Sequence, residues 1–216
     1  MMNCIFDMDG VIFDSERLYI DCCIEVAAKL GMENIVETCL KCIGVTTSVT
    51  ESILLETYHD PSLVARFRET TVRLFREKYM AGQLGMKPGV VELLSGLKSA
   101  GTRIAIASST KTEIVRSELA EAGILDCFDA IIGGDQVQRS KPHPDIFLKA
   151  AERIGAKPED CIVIEDSYNG IRAAKAAGMT AIMVPDQLEP NEEMRALADA
   201  IVPSLYAVAD MLNYRK

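Results

Sequence analysis

The chain has 216 residues, enough for one sizeable core or for a core with a smaller companion. Hydrophobic residues make up 49% and charged residues 25%, the balance of a soluble globular protein, and 23 basic against 32 acidic side chains leave a net charge of −9. With no basic run, no aromatic stacking platform, no run of about 18 apolar residues and no signal-like N-terminus, neither nucleic acid nor a membrane is expected as a partner. The seven cysteines are scattered and odd in number, and only Cys39 and Cys42 have Cys-x-x-Cys spacing, with no second cluster to complete a zinc site. Such thiols suit a reducing cytosol, so a cytoplasmic location is the expectation, and with no distinct apolar stripe to announce an interface, so is a monomer.

The chain opens on Cys4-Ile5-Phe6-Asp7-Met8-Asp9-Gly10, an apolar run that reads as a buried strand and delivers two carboxylates before stopping at a glycine. Side chains at i and i+2 of an extended segment point to the same side, so both acids are predicted to face one small volume at the strand's C-terminal end. From about 14 to 84 the pattern is helical, with amphipathic stretches over 18–30, 51–58 and 63–80 broken at Gly31, Gly44 and Asp60-Pro61. No strand is predicted there. We read 14–84 as an inserted helical domain and 1–13 with 85–216 as the core. Core chain resumes at Lys87-Pro88-Gly89, with Pro88 predicted to open a helix.

Beyond Gly101 strands and helices alternate. Apolar runs over 103–108, 129–134, 160–165 and 180–184 are predicted strands, and 112–122, 145–154, 169–177 and 205–212 predicted helices. Continuous apolar strands separated by helices argue for a parallel sheet covered on both faces, hence a doubly wound α/β core of at least five strands.

Chemistry-bearing residues recur at the strand ends. Ser108-Ser109-Thr110 forms a hydroxyl turn before a helix, suited to a phosphate oxygen. Lys141 sits in a Pro-flanked loop, Ser140-Lys141-Pro142-His143-Pro144, and offers a compact positive charge. Glu165-Asp166-Ser167 places a second acidic pair after a third strand, with Ser167 in position to cap the next helix. Four carboxylates against one lysine call for a divalent cation, and oxygen donors suit Mg²⁺. Gly-x-Gly-x-x-Gly is missing after the first strand, which argues against a dinucleotide site.

Asp7-Met8-Asp9-Gly10-Val11, Ser108, Lys141 and Glu165-Asp166 together resemble the four signature motifs of the haloacid-dehalogenase-like (HAD) superfamily, over nearly the whole chain. The similarity is to the subfamily with a helical cap inserted after the first motif, which includes β-phosphoglucomutase and many sugar-phosphate phosphatases. The resemblance implies a Rossmann-like core and a Mg²⁺-dependent phosphomonoester hydrolase acting on a small phosphorylated metabolite, such as a sugar phosphate. It implies Asp7 as the nucleophile that forms an aspartyl-phosphate and Asp9 as general acid/base. It further implies Mg²⁺ on Asp7, the Asp9 backbone carbonyl and Asp166, assisted by Glu165, with Ser108, Ser109 and Lys141 on the phosphoryl group.

The chain departs from the mutase pattern in the cap, where Tyr19 stands at the position of a mutase histidine and Thr47 at that of an arginine. A bisphosphate intermediate needs positive charge at its far end, so a phosphatase is the expectation and a phosphosugar mutase the alternative. Glu16, Tyr19 and the loop Gly44-Val45-Thr46-Thr47 are the candidates for contacting the leaving group, followed by Arg17. From another class, a phosphoacceptor signalling module also uses acids, a lysine and a hydroxyl, but needs no helical insertion.

Overall fold

The computed structural model describes residues 2–43 and 47–213. The chain divides into two compact units, Met1–Phe13 with Met86–Lys216, and Asp14–Gly85.

The first unit is built on a six-stranded, wholly parallel sheet: β1 (Asn3–Phe6), β2 (Ile104–Ala107), β3 (Ala130–Ile132), β4 (Cys161–Glu165), β5 (Thr180–Met183) and β6 (Ala200–Ile201), in the spatial order β3-β2-β1-β4-β5-β6. The register lines up Ala130, Ala105, Ile5, Val163 and Ala181 as one row across five strands. Members of this row pack with Phe147 and Ala150 of α7 (Asp145–Arg153) and Ile171 and Ala174 of α8 (Tyr168–Ala176). The neighbouring row, Ile131, Ile106, Phe6, Ile164 and Ile182, points the opposite way, and its four central members are nearly all inaccessible too. A sheet buried on both faces has no polar alternation, which is why its strands read as unbroken apolar runs.

The order places β1 at the centre, between β2 and β4, where the chain switches from building one half of the sheet to the other. Ligands of open α/β sheets bind at such a switch point, beyond the strands' C-terminal ends. Helices α5 (Val90–Ser99), α6 (Thr112–Glu121), α9 (Glu192–Leu197) and α10 (Leu205–Met211) complete the unit. Its two open ends run together: Phe13 bridges Met86 in antiparallel fashion, and the Lys87 N–H donates to the Ile12 carbonyl (2.8 Å).

The second unit contains α1 (Ser15–Leu30), α2 (Ile35–Lys41), α3 (Thr47–Tyr58) and α4 (Pro61–Met80), packed around Cys23, Val26, Ala27, Leu54, Val64 and Phe67. Asp60 caps α4 by accepting from the Leu63 N–H (3.0 Å), with Pro61 in the first turn. Its ends also meet, through a hydrogen bond from the Asp14 N–H to the Gly85 carbonyl (2.9 Å).

Several elements differ from the sequence reading, β6 and α9 being among those it did not contain. α2 is an additional helix, seven residues long and entered through Asn34 in the left-handed region, where the Asn34 side chain makes no cap bond. The helix predicted to open at Pro88 begins at Val90, because Gly89, at φ 93°, is its cap. The run over 129–134 is a strand only to Ile132, since Gly134–Gln136 coils into a 3-10 turn. Among the described residues no helix is long and apolar enough to cross a membrane. All seven cysteines are free, and no group of described residues able to hold a metal contains one.

Candidate active site

The site lies where β1, β2 and β4 end. Asp7 follows the last residue of β1, with its N–H held by the Ile164 carbonyl of β4 (3.0 Å). Beyond it the chain folds back at once, as the N–H groups of Val11, Ile12 and Phe13 all reach the Met8 carbonyl. Gly10, at φ 79°, makes this turn possible, and a Cβ there would lie 2.3 Å from Asp166 Oδ2, so the backbone passes directly over that carboxylate.

The two N-terminal acids lie just beyond β1, which ends at Phe6, and they take different partners. Asp7 Oδ1 accepts from Lys141 Nζ (2.5 Å), whereas Asp9 Oδ2 accepts from the hydroxyls of Thr110 (3.0 Å) and Ser108 (3.4 Å) at the end of β2. The first acid thus has an ammonium partner and the second has hydroxyls.

Lys141 reaches in from the loop before α7, its side chain 7% exposed, and also donates to Glu165 Oε1 (2.7 Å). Its ammonium lies 5.0 Å from the centre of the Phe147 ring on α7. Glu165 ends β4 with no exposed surface, and its other oxygen accepts from the Ser167 N–H (2.7 Å) and hydroxyl (2.9 Å). Ser167 in turn caps α8 by accepting from the Gly170 N–H (3.1 Å). A Cβ at Gly170 would collide with the Glu165 carboxylate at 1.7 Å, so the first turn of α8 carries a glycine where that acid lies against it.

Burial pushes the Asp7 carboxyl up to about 7, an effect that Lys141 opposes and that Glu165 and Asp9 reinforce. Burial lowers the Lys141 ammonium, but the adjoining Asp7 and Glu165 outweigh it and hold the pKa above its ordinary value. Carboxylates of Asp7, Glu165 and Asp166 have oxygens within 4.8 Å of one another. This all-oxygen donor set fits a hard divalent cation such as Mg²⁺.

The structure therefore brings together Asp7, Asp9, Ser108, Lys141, Glu165 and Asp166 from widely separated points of the sequence. Ser109, between two engaged residues, is exposed. Glu16 and Tyr19 lie on α1 of the helical unit, where Tyr19 packs edge-on against Phe75 of α4 (5.8 Å). Gly44, Val45 and Thr46 lie outside the described residues, and Thr47 is the first residue of α3. Thr110 is the residue that sequence reasoning left without a role. Its hydroxyl was legible in the Ser108-Ser109-Thr110 turn, but its partner, Asp9, is 101 residues away.

The chain is similar to known proteins over nearly its whole length. A phosphorylated carbohydrates phosphatase of Thermotoga maritima is 32% identical over 212 residues, covering 98% of this chain and 97% of that one. A bifunctional riboflavin kinase/FMN phosphatase of Arabidopsis thaliana is 32% identical over 207 residues, 95% of this chain, which spans about half (54%) of that longer protein. The crystal structure of a β-phosphoglucomutase from Clostridium difficile superposes with a TM-score of 0.75 at 26% identity, over 99% of this chain and 96% of that one. The family model of haloacid dehalogenase-like hydrolases matches residues 4–184, and the chain belongs to that family.

Proposed function

We propose that the protein is a Mg²⁺-dependent phosphatase that cleaves a small phosphorylated metabolite, of the sugar-phosphate class, through an aspartyl-phosphate on Asp7. The observation that carries this reading is the unequal treatment of the two acids: Asp7 is gripped by Lys141 beside Glu165 and Asp166, while Asp9 faces hydroxyls across the pocket.

In the first displacement an Asp7 carboxylate oxygen bonds to phosphorus as the ester oxygen leaves, and Asp9 delivers a proton to that oxygen. In the second, Asp9 takes a proton from water as the water oxygen bonds to phosphorus and the Asp7–phosphorus bond breaks, releasing inorganic phosphate. Lys141 balances charge on Asp7 and on the equatorial phosphate oxygens, with Ser108 holding another of those oxygens. Both oxygens of Glu165 are engaged by Lys141 and Ser167, so Asp7, Asp166 and the Asp9 carbonyl would be the metal donors and Glu165 their support. Mg²⁺ bound there supplies charge neutralisation between the nucleophile and the phosphate.

In this reading residues 14–85 are the substrate-selecting cap, and Glu16, Tyr19 and Gly44-Val45-Thr46-Thr47 are the candidates for recognising the leaving group. Tyr19 and Thr47, at positions that are cationic in mutases, favour hydrolysis over phosphoryl return. The test is phosphate release from a panel of phosphorylated sugars, polyols and nucleotides, with Mg²⁺ and with EDTA. Mg²⁺-dependent release that Asp7→Asn abolishes is the expected result; near-normal turnover by that variant would sink the mechanism. Conversion of β-glucose 1-phosphate to glucose 6-phosphate without net release would establish a mutase instead, and a lasting phospho-Asp7 without turnover a signalling module.

A further inference from the structure

Thr110 has every polar group committed. Its N–H donates to Ser108 Oγ (3.0 Å), its carbonyl accepts from the Gly134 N–H (2.9 Å), and its hydroxyl donates to Asp9 Oδ2 (3.0 Å). The turn that carries it is held from outside as well. Asp135 Oδ1 accepts from both the N–H and the hydroxyl of Thr112 (2.7 Å each), and Gln136 Nε2 donates to that same hydroxyl (2.8 Å). There is no slack: a Cβ on Gly134 would lie 2.3 Å from the Ser109 carbonyl oxygen, and one on Gly133 2.3 Å from the Thr112 nitrogen. A hydroxyl on so constrained a turn has its direction set by the backbone.

We propose that Thr110 is a positioning residue of Asp9, fixing the plane of its carboxyl group through the tether to Oδ2, so that the acid is held ready to exchange a proton with the leaving group and with water. The inference rests on the acid/base role proposed above for Asp9. Ser108 also reaches Oδ2, at 3.4 Å, but its oxygen already accepts from the Thr110 N–H, so the shorter and better-anchored restraint is that of Thr110. General acid–base transfer requires the carboxyl oxygen within hydrogen-bond reach of the reacting oxygen, and a carboxyl free to swing about its Cβ–Cγ bond meets that condition only part of the time.

The experiment compares Thr110→Val, which keeps the β-branched shape and loses only the hydroxyl, with Thr110→Ser, which restores it. Both are assayed as Mg²⁺-loaded full-length enzyme on the best substrate of the panel, beside Asp9→Asn. Losing the hydrogen bond that orients Asp9 predicts a fall in kcat of about tenfold or more for Thr110→Val at unchanged KM, with kcat recovered in Thr110→Ser. Acid-quenched single-turnover samples of Thr110→Val are expected to show both formation and loss of phospho-Asp7 slowed, because both steps depend on Asp9. Unchanged kcat in Thr110→Val overturns the proposal, as does a higher KM at constant kcat, which would make Thr110 a substrate contact. Should Thr110→Val fail to fold, Thr110→Ala under the same comparison takes its place. An unimpaired Asp9→Asn would instead strike the acid/base reading itself, and a dead Asp9→Asn beside a normal Thr110→Val the present inference alone.

Discussion

Gly10 carries two demands that no other residue meets together. Its φ of 79° strains any residue with a Cβ, and that Cβ would lie 2.3 Å from Asp166 Oδ2. Gly10→Ala is therefore expected to cost about 1–3 kcal/mol in urea unfolding. It should also push Asp166 out of the carboxylate cluster, so that the Mg²⁺ concentration for half-maximal activity rises. An unchanged Mg²⁺ requirement would show that Asp166 tolerates the intrusion. The glycine was legible in the sequence as the stop after Asp7-Met8-Asp9. What the i, i+2 rule could not convey is that the strand ends at Phe6, so the acids sit in a turn and take different partners. Lys141 shows the same limit: its charge was legible, but its contact with Glu165 as well as Asp7 depends on two strand ends lying side by side.

Ser167 ties an element to the site. It caps α8 and binds one oxygen of Glu165, leaving the other for Lys141. Ser167→Ala removes both interactions. The lost cap alone predicts about 1 kcal/mol of destabilisation, a fall of about 2–4 °C in Tm for a chain of this size. A loss of phosphatase activity exceeding that expected from unfolding alone would accompany it if Glu165 supports the metal donors; full activity at the lower Tm would confine Ser167 to capping. Elements with a strong local signal were legible: α4 has Asp60-Pro61 before its amphipathic run, and the central strands have their apolar runs. β6 was not, because two residues carry no periodicity and owe their pairing to β5. α9 is six residues long, and its Asn191 cap, which accepts from the Met194 N–H (2.8 Å), was its one usable signal.

At the scale of the molecule, stability should respond to pH through Glu118 on α6. Burial, followed by the charges of Asp9 and Glu121, pushes its carboxyl up from about 4.5 to about 7, and among the described residues its Oε2 has no hydrogen-bond partner. A carboxyl whose folded pKa is raised contributes stability that is full below about pH 4.5 and is lost as pH rises through about 7, because the unfolded chain releases the proton earlier. Glu118→Gln is thus expected to raise Tm at pH 8 and to leave it nearly unchanged at pH 4.5. Equal shifts at the two pH values would mean that ionisation is not the cause. The α/β class of the larger unit was legible from the alternation beyond Gly101, whereas Glu118 looked like one acid among 32 until the fold turned it inward.

Each unit closes on itself where the chain passes between them. Phe13 already pairs with Met86, and Asp14 with Gly85, like the two cut ends of a hairpin. For the core, the intervening stretch is formally one very long turn, and closure entropy grows only slowly with loop length. Replacing residues 14–85 by a tight reverse turn is therefore expected to leave a folded core in which Asp7, Lys141, Glu165 and Asp166 keep the strand ends and loop that hold them.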